Sequence, residues 1–85
     1  MYILTFTKQG SDFVDLLCRE SKDMLLKDSL NYFDNFVKSG DQFNFNQDDL
    51  LELVKFIVDP PKKGFDIPRI KLGLLHFSLV DNQKD

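Results

Sequence analysis

The clearest pattern in the sequence is a helical repeat of apolar residues between Asp23 and Lys38. The apolar side chains recur at intervals of three and four residues, which places them on one face of an α-helix. Asp23 precedes Lys27 by four positions and Asp34 precedes Lys38 likewise, a spacing that stabilises exposed helix faces. Ser39-Gly40 ends the segment, because glycine readily adopts the left-handed conformation of a helix C-cap. The predicted buried face consists of Leu26, Leu30, Phe33 and Val37.

A shorter helix is predicted before this one. Ser11 or Asp12 can cap its N-terminus, and the helix would extend to about Ser21. Asp15 and Arg19 repeat the acid-before-base spacing of the longer helix. The apolar face of this helix would carry Phe13, Leu16 and Leu17.

A third helix is predicted from about Gln47 to Val58, with Asn46 as its N-cap. Asp59-Pro60-Pro61 ends it, because a residue that precedes proline is pushed out of helical geometry. Residues 60–64 then form a loop. The buried face of this helix would carry Leu50, Leu53, Val54 and Ile57.

Short alternating segments predict strands. Tyr2 to Thr7 alternates between two sides and is rich in strand-forming residues, and Lys8-Gln9-Gly10 ends it. Gln42 to Asn46 alternates phenylalanine with asparagine and predicts a second short strand. Residues 68–80 are ambiguous, since their apolar positions fit both a strand and a helix and their leucine content favours a helix. A strand there would supply the partner that the N-terminal strand needs for its backbone hydrogen bonds.

These segments together predict an α+β fold, with about three helices packed on a short two- or three-stranded sheet; an all-α bundle is the alternative. The chain has 85 residues, so we expect one globular domain spanning residues 1–85. A chain of this size has a small core, and its nine phenylalanines must supply much of that core.

Composition narrows the classes of function. Fourteen acidic residues against eleven basic ones give a net charge of −3, which argues against direct binding of nucleic acid, because phosphate contacts need a basic surface. No apolar run approaches a membrane span, and the N-terminus lacks the features of a signal peptide. Cys18 is the single cysteine and has no partner for an internal disulfide. We therefore expect a cytoplasmic protein with no membrane association.

No motif in the sequence indicates catalysis, a metal or a cofactor. Residues 41–52 have the length of a calcium loop, but Phe43 and Phe45 stand where oxygen ligands are required. Cys18 and His76 could pair for nucleophilic catalysis only if the fold joined them, and a buried, inert thiol on a helix is the simpler interpretation. Asp48 and Glu52 share a helix face without any sign of a cleft. We expect that the protein is not an enzyme and binds no cofactor.

The most informative asymmetry is an acid-only stretch from Ser39 to Val54, in which aromatic residues and asparagines are interleaved with the acids. Complementary charge speeds encounter with a basic protein, and aromatic anchors hold the complex. The alternative is structural, since carboxylates in the first turn complement the helix dipole and the phenylalanines could belong to the core. The predicted partner-binding residues are Asp41, Phe43, Asn44, Asp48, Asp49 and Glu52.

Three classes of function remain. The first is a small inhibitor of the immunity type that blocks a larger, basic partner such as a toxin nuclease. The second is a phage or mobile-element accessory protein that targets a host enzyme or nucleic-acid machine. The absence of alanine and the nine lysines against two arginines suggest AT-rich coding, as on a phage, plasmid or genomic island, which also favours the first class. The third is a homo-oligomeric structural or assembly module, because abundant phenylalanine could leave an apolar patch for self-association.

Overall fold

The computed structural model describes residues 1–12, 14–38, 44–61, 64 and 66–81. Its elements in chain order are β1 (Tyr2–Lys8), β2 (Asp15–Arg19), α1 (Lys22–Lys38), α2 (Gln47–Val58), β3 (Arg69–Leu72) and β4 (Leu75–Asp81). The strands form one antiparallel sheet in the order β2-β1-β4-β3. The α+β class is confirmed and the all-α alternative is wrong. The described part has two helices rather than about three, and four strands rather than two or three.

β1 and β4, the first and last strands that the structure describes, pair with each other at the centre of the sheet. Their antiparallel register runs from Tyr2 opposite Asp81 to Lys8 opposite Leu75. Leu4 and Phe6 are buried on the side of the sheet that packs against the helices, whereas Ile3, Thr5 and Thr7 alternate to the other side. The predicted N-terminal strand is confirmed, and a C-terminal strand supplies its partner.

The helix predicted from Ser11 or Asp12 to Ser21 is wrong, because residues 15–19 form β2. Ser11 N donates to Lys8 O at 3.0 Å, and Gly10 has a φ of 83°, so the chain turns sharply after β1. This turn returns residues 15–19 to the free edge of β1, where Leu17 lies opposite Leu4. Pairing with β2 satisfies the backbone N–H and C=O groups of β1 on that edge. This gain outweighs the weak helical preference of a short amphipathic segment.

The ambiguous C-terminal segment is a β-hairpin. β3 and β4 are joined by Gly73 and Leu74, and Leu72 lies directly opposite Leu75. Gly73 has a φ of 60° at the first position of this two-residue turn, a position at which a type II′ turn favours glycine. The turn glycine thus resolves the choice between strand and helix that the leucine content left open.

α1 covers residues 22–38, close to the predicted segment, but its most buried line differs from the predicted one. Leu25, Ser29 and Phe33 are fully buried, whereas Leu26, Leu30 and Val37 are half-buried and pack against the rim of the core. α1 contacts both the sheet and α2, so its buried face is wider than a single stripe. Asp34 and Lys38 form the predicted ion pair at 2.8 Å, and the hydrogen bond and charge of Asp34 raise the pKa of Lys38.

α2 begins and ends at the predicted residues. Its buried positions include Leu50, Leu53 and Ile57 as predicted, but Phe56 is buried where Val54, which is half-buried, was expected. Residues 44–46 are not a strand, and the remainder of the predicted strand, Gln42 and Phe43, lies outside the described residues.

The core lies between the helices and one face of the sheet. Phe33 of α1 is at its centre, with ring centroids 4.9 Å from Phe6, 5.2 Å from Phe77 and 5.7 Å from Phe45. The pairs with Phe6 and Phe77 are edge-to-face, a geometry that adds to the free energy gained by burial. Among the described residues, both helices lie on one side of the sheet, which we call the helix face. The described residues leave the other side, the open face, uncovered.

Candidate protein-binding surface

The solvent side of α2 carries a continuous stripe that combines acidic and apolar side chains. Its members are spaced at three and four residues, so they project from one side of the helix. All of them are exposed. We call this set the α2 stripe; it consists of Asp48, Leu51, Glu52, Lys55 and Val58.

Asp48 and Glu52 are the predicted binding residues that the fold places together on the stripe. Asp48 forms no ion pair within the described part of the chain. Glu52 Oε1 lies 3.7 Å from Lys55 Nζ, and both side chains are more than half exposed. A pair this exposed contributes little stability. Both carboxylates therefore remain accessible to a partner.

Asp49 has a structural role. Its backbone N donates to Asn46 Oδ1 at 3.1 Å, and Asn46 N donates to Asp49 Oδ2 at 3.0 Å. This reciprocal capping box satisfies two donors at the N-terminus of α2. The sequence identified Asn46 as the cap, and the spacing of Asp49 three residues later completes the motif.

The remaining predicted binding residues lie before α2. Asn44 is exposed and has a φ of 52°, the left-handed region that asparagine tolerates better than most residues. Phe45, its neighbour, is buried in the core rather than displayed on the surface. Asp41 and Phe43 lie outside the described residues.

A shallow recess of about 180 Å³ lies between the α2 stripe and β3. Two carboxylates, those of Glu52 and Asp59, share its lining with apolar groups. Lys55 also lines the recess, but the two carboxylates outnumber its single ammonium group. The recess therefore suits a lysine or arginine, whose aliphatic stem packs on apolar atoms while its cationic end meets the carboxylates. Its lining residues are Glu52, Lys55, Phe56, Asp59, Pro61 and Ile70.

The sequence analysis missed the apolar members of the stripe. Leu51 is 54% exposed and Val58 is 51% exposed, although both stand in an apolar helix. Leu51 lies three positions after Asp48 and four before Lys55, which places it on the polar side of the helix, about 100° from Leu50. That spacing is the signal that could have revealed an exposed leucine between two acids.

A second surface, on the open face of the sheet, is basic. Arg69, Lys71 and His76 are exposed there, and the hydroxyls of Thr5 and Ser78 are hydrogen-bonded to each other across β1 and β4. These side chains line a shallow concavity of about 440 Å³. The sequence analysis did not identify this patch, because residues 68–80 were ambiguous between strand and helix, and His76 joins Arg69 and Lys71 only through the pairing of β3 with β4.

Cys18 and His76 do not form a pair. Cys18 lies opposite Ile3 and His76 opposite Thr7, which places them about 13 Å apart along β1 at the usual rise per residue. Cys18 is half-buried on a strand, not on a helix as expected. Among the residues that the structure describes, no three His, Cys, Asp or Glu side chains are grouped so that they could hold a metal ion.

No helix within the described ranges has the length and apolar character needed to cross a membrane. No protein-family model, curated protein or solved structure matches the chain.

Proposed function

We propose that this protein is a small inhibitor of the immunity type, which blocks a larger, basic partner such as a toxin nuclease by docking α2 against it. The observation that carries the proposal is the exposed Leu51, which lies between the exposed carboxylates of Asp48 and Glu52 on the α2 stripe. An apolar anchor within a charged rim is the usual organisation of a protein interface.

Two further features support a basic partner. The recess beside Glu52 and Asp59 suits a lysine or arginine side chain of the partner. The chain as a whole has a net charge of −3, which attracts a basic protein over distances of the order of the Debye length, about 8–10 Å at physiological salt. Inhibition would follow if α2 covered the partner's own anion-binding site.

The test begins with affinity capture of the partner from the native host, followed by surface plasmon resonance with the purified pair. Asp48→Lys combined with Glu52→Lys should slow association at low salt, because complementary charge acts mainly on the encounter rate. Asp49 is left unchanged, because its loss would disturb the capping box. Leu51→Ala should instead speed dissociation, because it removes a desolvated contact.

A matched control changes the same net charge away from the stripe. Asp12→Lys combined with Asp81→Lys alters two exposed acids outside α2. If stripe and control variants slow association equally, the docking surface lies elsewhere and overall charge explains the effect. A partner that keeps its full activity when saturated with this protein would contradict inhibition while leaving the docking surface in place.

A further inference from the structure

The two edges of the sheet differ in how they are protected. An edge strand presents unpaired backbone N–H and C=O groups, and proteins usually shield such edges with lysine, proline or other charged residues. β3 follows Pro68 and carries the exposed cations Arg69 and Lys71. β2 has charged residues only at its two ends, Asp15 and Arg19, and neither lysine nor proline; between them lies Leu16, which is 58% exposed. Val14, just before the strand, is 62% exposed.

The hydrogen-bond pattern shows which β2 residues turn their backbone outward. Gln9 N donates to Leu74 O at 2.8 Å, which extends the β1–β4 register and makes this a hydrogen-bonded pair. Hydrogen-bonded pairs alternate along an antiparallel ladder. The backbone N–H and C=O groups of Thr5 and Thr7 therefore point toward β4, and those of Leu4 and Phe6 point toward β2. The β2 residues opposite Leu4 and Phe6 are Leu17 and Asp15.

Leu16 and Cys18 therefore direct their N–H and C=O groups away from the sheet. A side-chain contact agrees with this assignment, since Arg19 Nη1 donates to Cys18 O at 2.7 Å from outside the β1–β2 ladder. On β3, Leu79 N donates to Pro68 O, so the backbone groups of Ile70, two residues later, also point toward β4. The backbone groups of the cationic residues Arg69 and Lys71 therefore point away from the sheet. The outward residues are charged on β3 and apolar or neutral on β2.

We propose that β2 is a self-association surface, at which two copies of this chain pair edge to edge and antiparallel about a two-fold axis through Leu17. The two strands can form a ladder when residues with outward backbone groups, such as Leu16 and Cys18, lie opposite one another in the two copies. With the axis at Leu17, Leu16 of each copy lies opposite Cys18 of the other, which gives two hydrogen-bonded pairs related by the two-fold axis. It also places Asp15 opposite Arg19 of the second copy.

Charge complementarity favours this register, because Arg19, which pairs with Asp28 of its own copy, is still one-third exposed and can also meet Asp15 of the second copy. Moving the centre by one residue in either direction places Asp15 or Arg19 opposite an apolar residue instead of an opposite charge. The two-fold arrangement keeps the open faces of both sheets on the same side, so the exposed Leu16 side chain of each copy packs beside Cys18 of the other on that face. The result is a continuous eight-stranded sheet of two copies.

Sedimentation of the purified protein over micromolar to millimolar concentrations tests the association itself. We expect concentration-dependent dimer formation by the parent, and at least about tenfold weaker association for Leu16→Lys, because a lysine on the edge opposes strand pairing. Leu51→Lys is the matched control, since Leu51 is 54% exposed but lies on α2. A parent that stays monomeric throughout, or equal weakening by both variants, would overturn the proposal.

Disulfide trapping tests the register. Directly opposed residues of a hydrogen-bonded pair have Cα atoms about 5.5 Å apart, within the range that a disulfide bridges. Leu16→Cys combined with Cys18→Ser is therefore mixed with the parent under mild oxidation. We expect cross-linked dimers in the mixture and far fewer from either protein alone, because identical positions lie diagonally across the axis. Equal cross-linking in all three samples, or none in the mixture, would contradict this pairing. Neither experiment requires the inhibited partner, so failure here leaves the proposed function intact.

Discussion

Arg19 on β2 and Asp28 on α1 form an ion pair that ties the edge strand to the first helix, with Arg19 Nε 2.5 Å from Asp28 Oδ2. The sequence predicted a different pairing for Arg19, with Asp15 on a helix. In the folded chain Asp15 and Arg19 are the two ends of a strand, and Arg19 reaches across the layers instead. Both members of the observed pair are about one-third exposed.

A double-mutant cycle with Arg19→Ala and Asp28→Ala should give a coupling free energy of about 0.5–1 kcal/mol, as for other partly exposed ion pairs. The same cycle on Glu52 and Lys55, whose charged atoms are 3.7 Å apart and more exposed, should give less than about 0.3 kcal/mol. Urea denaturation measures both. Equal coupling in the two cycles would mean that the pair between β2 and α1 has no special role.

Phe33→Ala should lower the free energy of unfolding by about 3–5 kcal/mol, because it removes a fully buried ring and leaves a cavity. The ring contacts phenylalanines from β1, β4 and the segment before α2, so the remaining side chains cannot close the space. Met24→Ala on the same helix, 53% exposed, is the control and should cost less than about 1 kcal/mol. A Phe33 variant as stable as the control would contradict the described core.

Ser29 within α1 and Ser21 immediately before it should change stability in opposite directions when each is replaced by alanine. Ser29 Oγ is buried and has no hydrogen-bond partner within the described part of the chain, so Ser29→Ala should raise stability by about 1 kcal/mol. Ser21 Oγ accepts a hydrogen bond from Met24 N at 3.2 Å at the start of the helix, so Ser21→Ala should lower stability by about 1 kcal/mol. Thermal unfolding of the two variants checks the signs, and a destabilised Ser29→Ala would indicate a hydrogen bond that the described residues do not provide.

The neighbouring aspartates Asp48 and Asp49 of α2 should differ in how much stability is lost when each is replaced by alanine. Asp49→Ala should cost about 1 kcal/mol, because it removes half of the capping box. Asp48→Ala should cost less than about 0.5 kcal/mol, because it loses only the favourable interaction of an exposed charge with the helix dipole. Chemical denaturation separates the two effects. In binding experiments the order should reverse, with Asp48 the more sensitive position.

Several elements could be predicted from the sequence because their signals are local. The amphipathic repeat of α1, the Asn46 cap and the proline stop of α2, and the alternation of β1 each depend on neighbours within a few residues. The acids of the α2 stripe belong to this class as well, since the spacing of Asp48 and Glu52 alone places them on one side of a helix.

The rest was decided by tertiary structure. Residues 15–19 have a pattern that a short helix and a strand satisfy about equally, and only the free edge of β1 made the strand more favourable. The basic patch on the open face depends in the same way on which strands pair, because Arg69 and Lys71 meet the hydroxyls of β1 only through β4. The sequence by itself determined which segments are amphipathic; pairing between distant segments determined which of them became strands, because backbone hydrogen bonds in a sheet join residues that no local pattern relates.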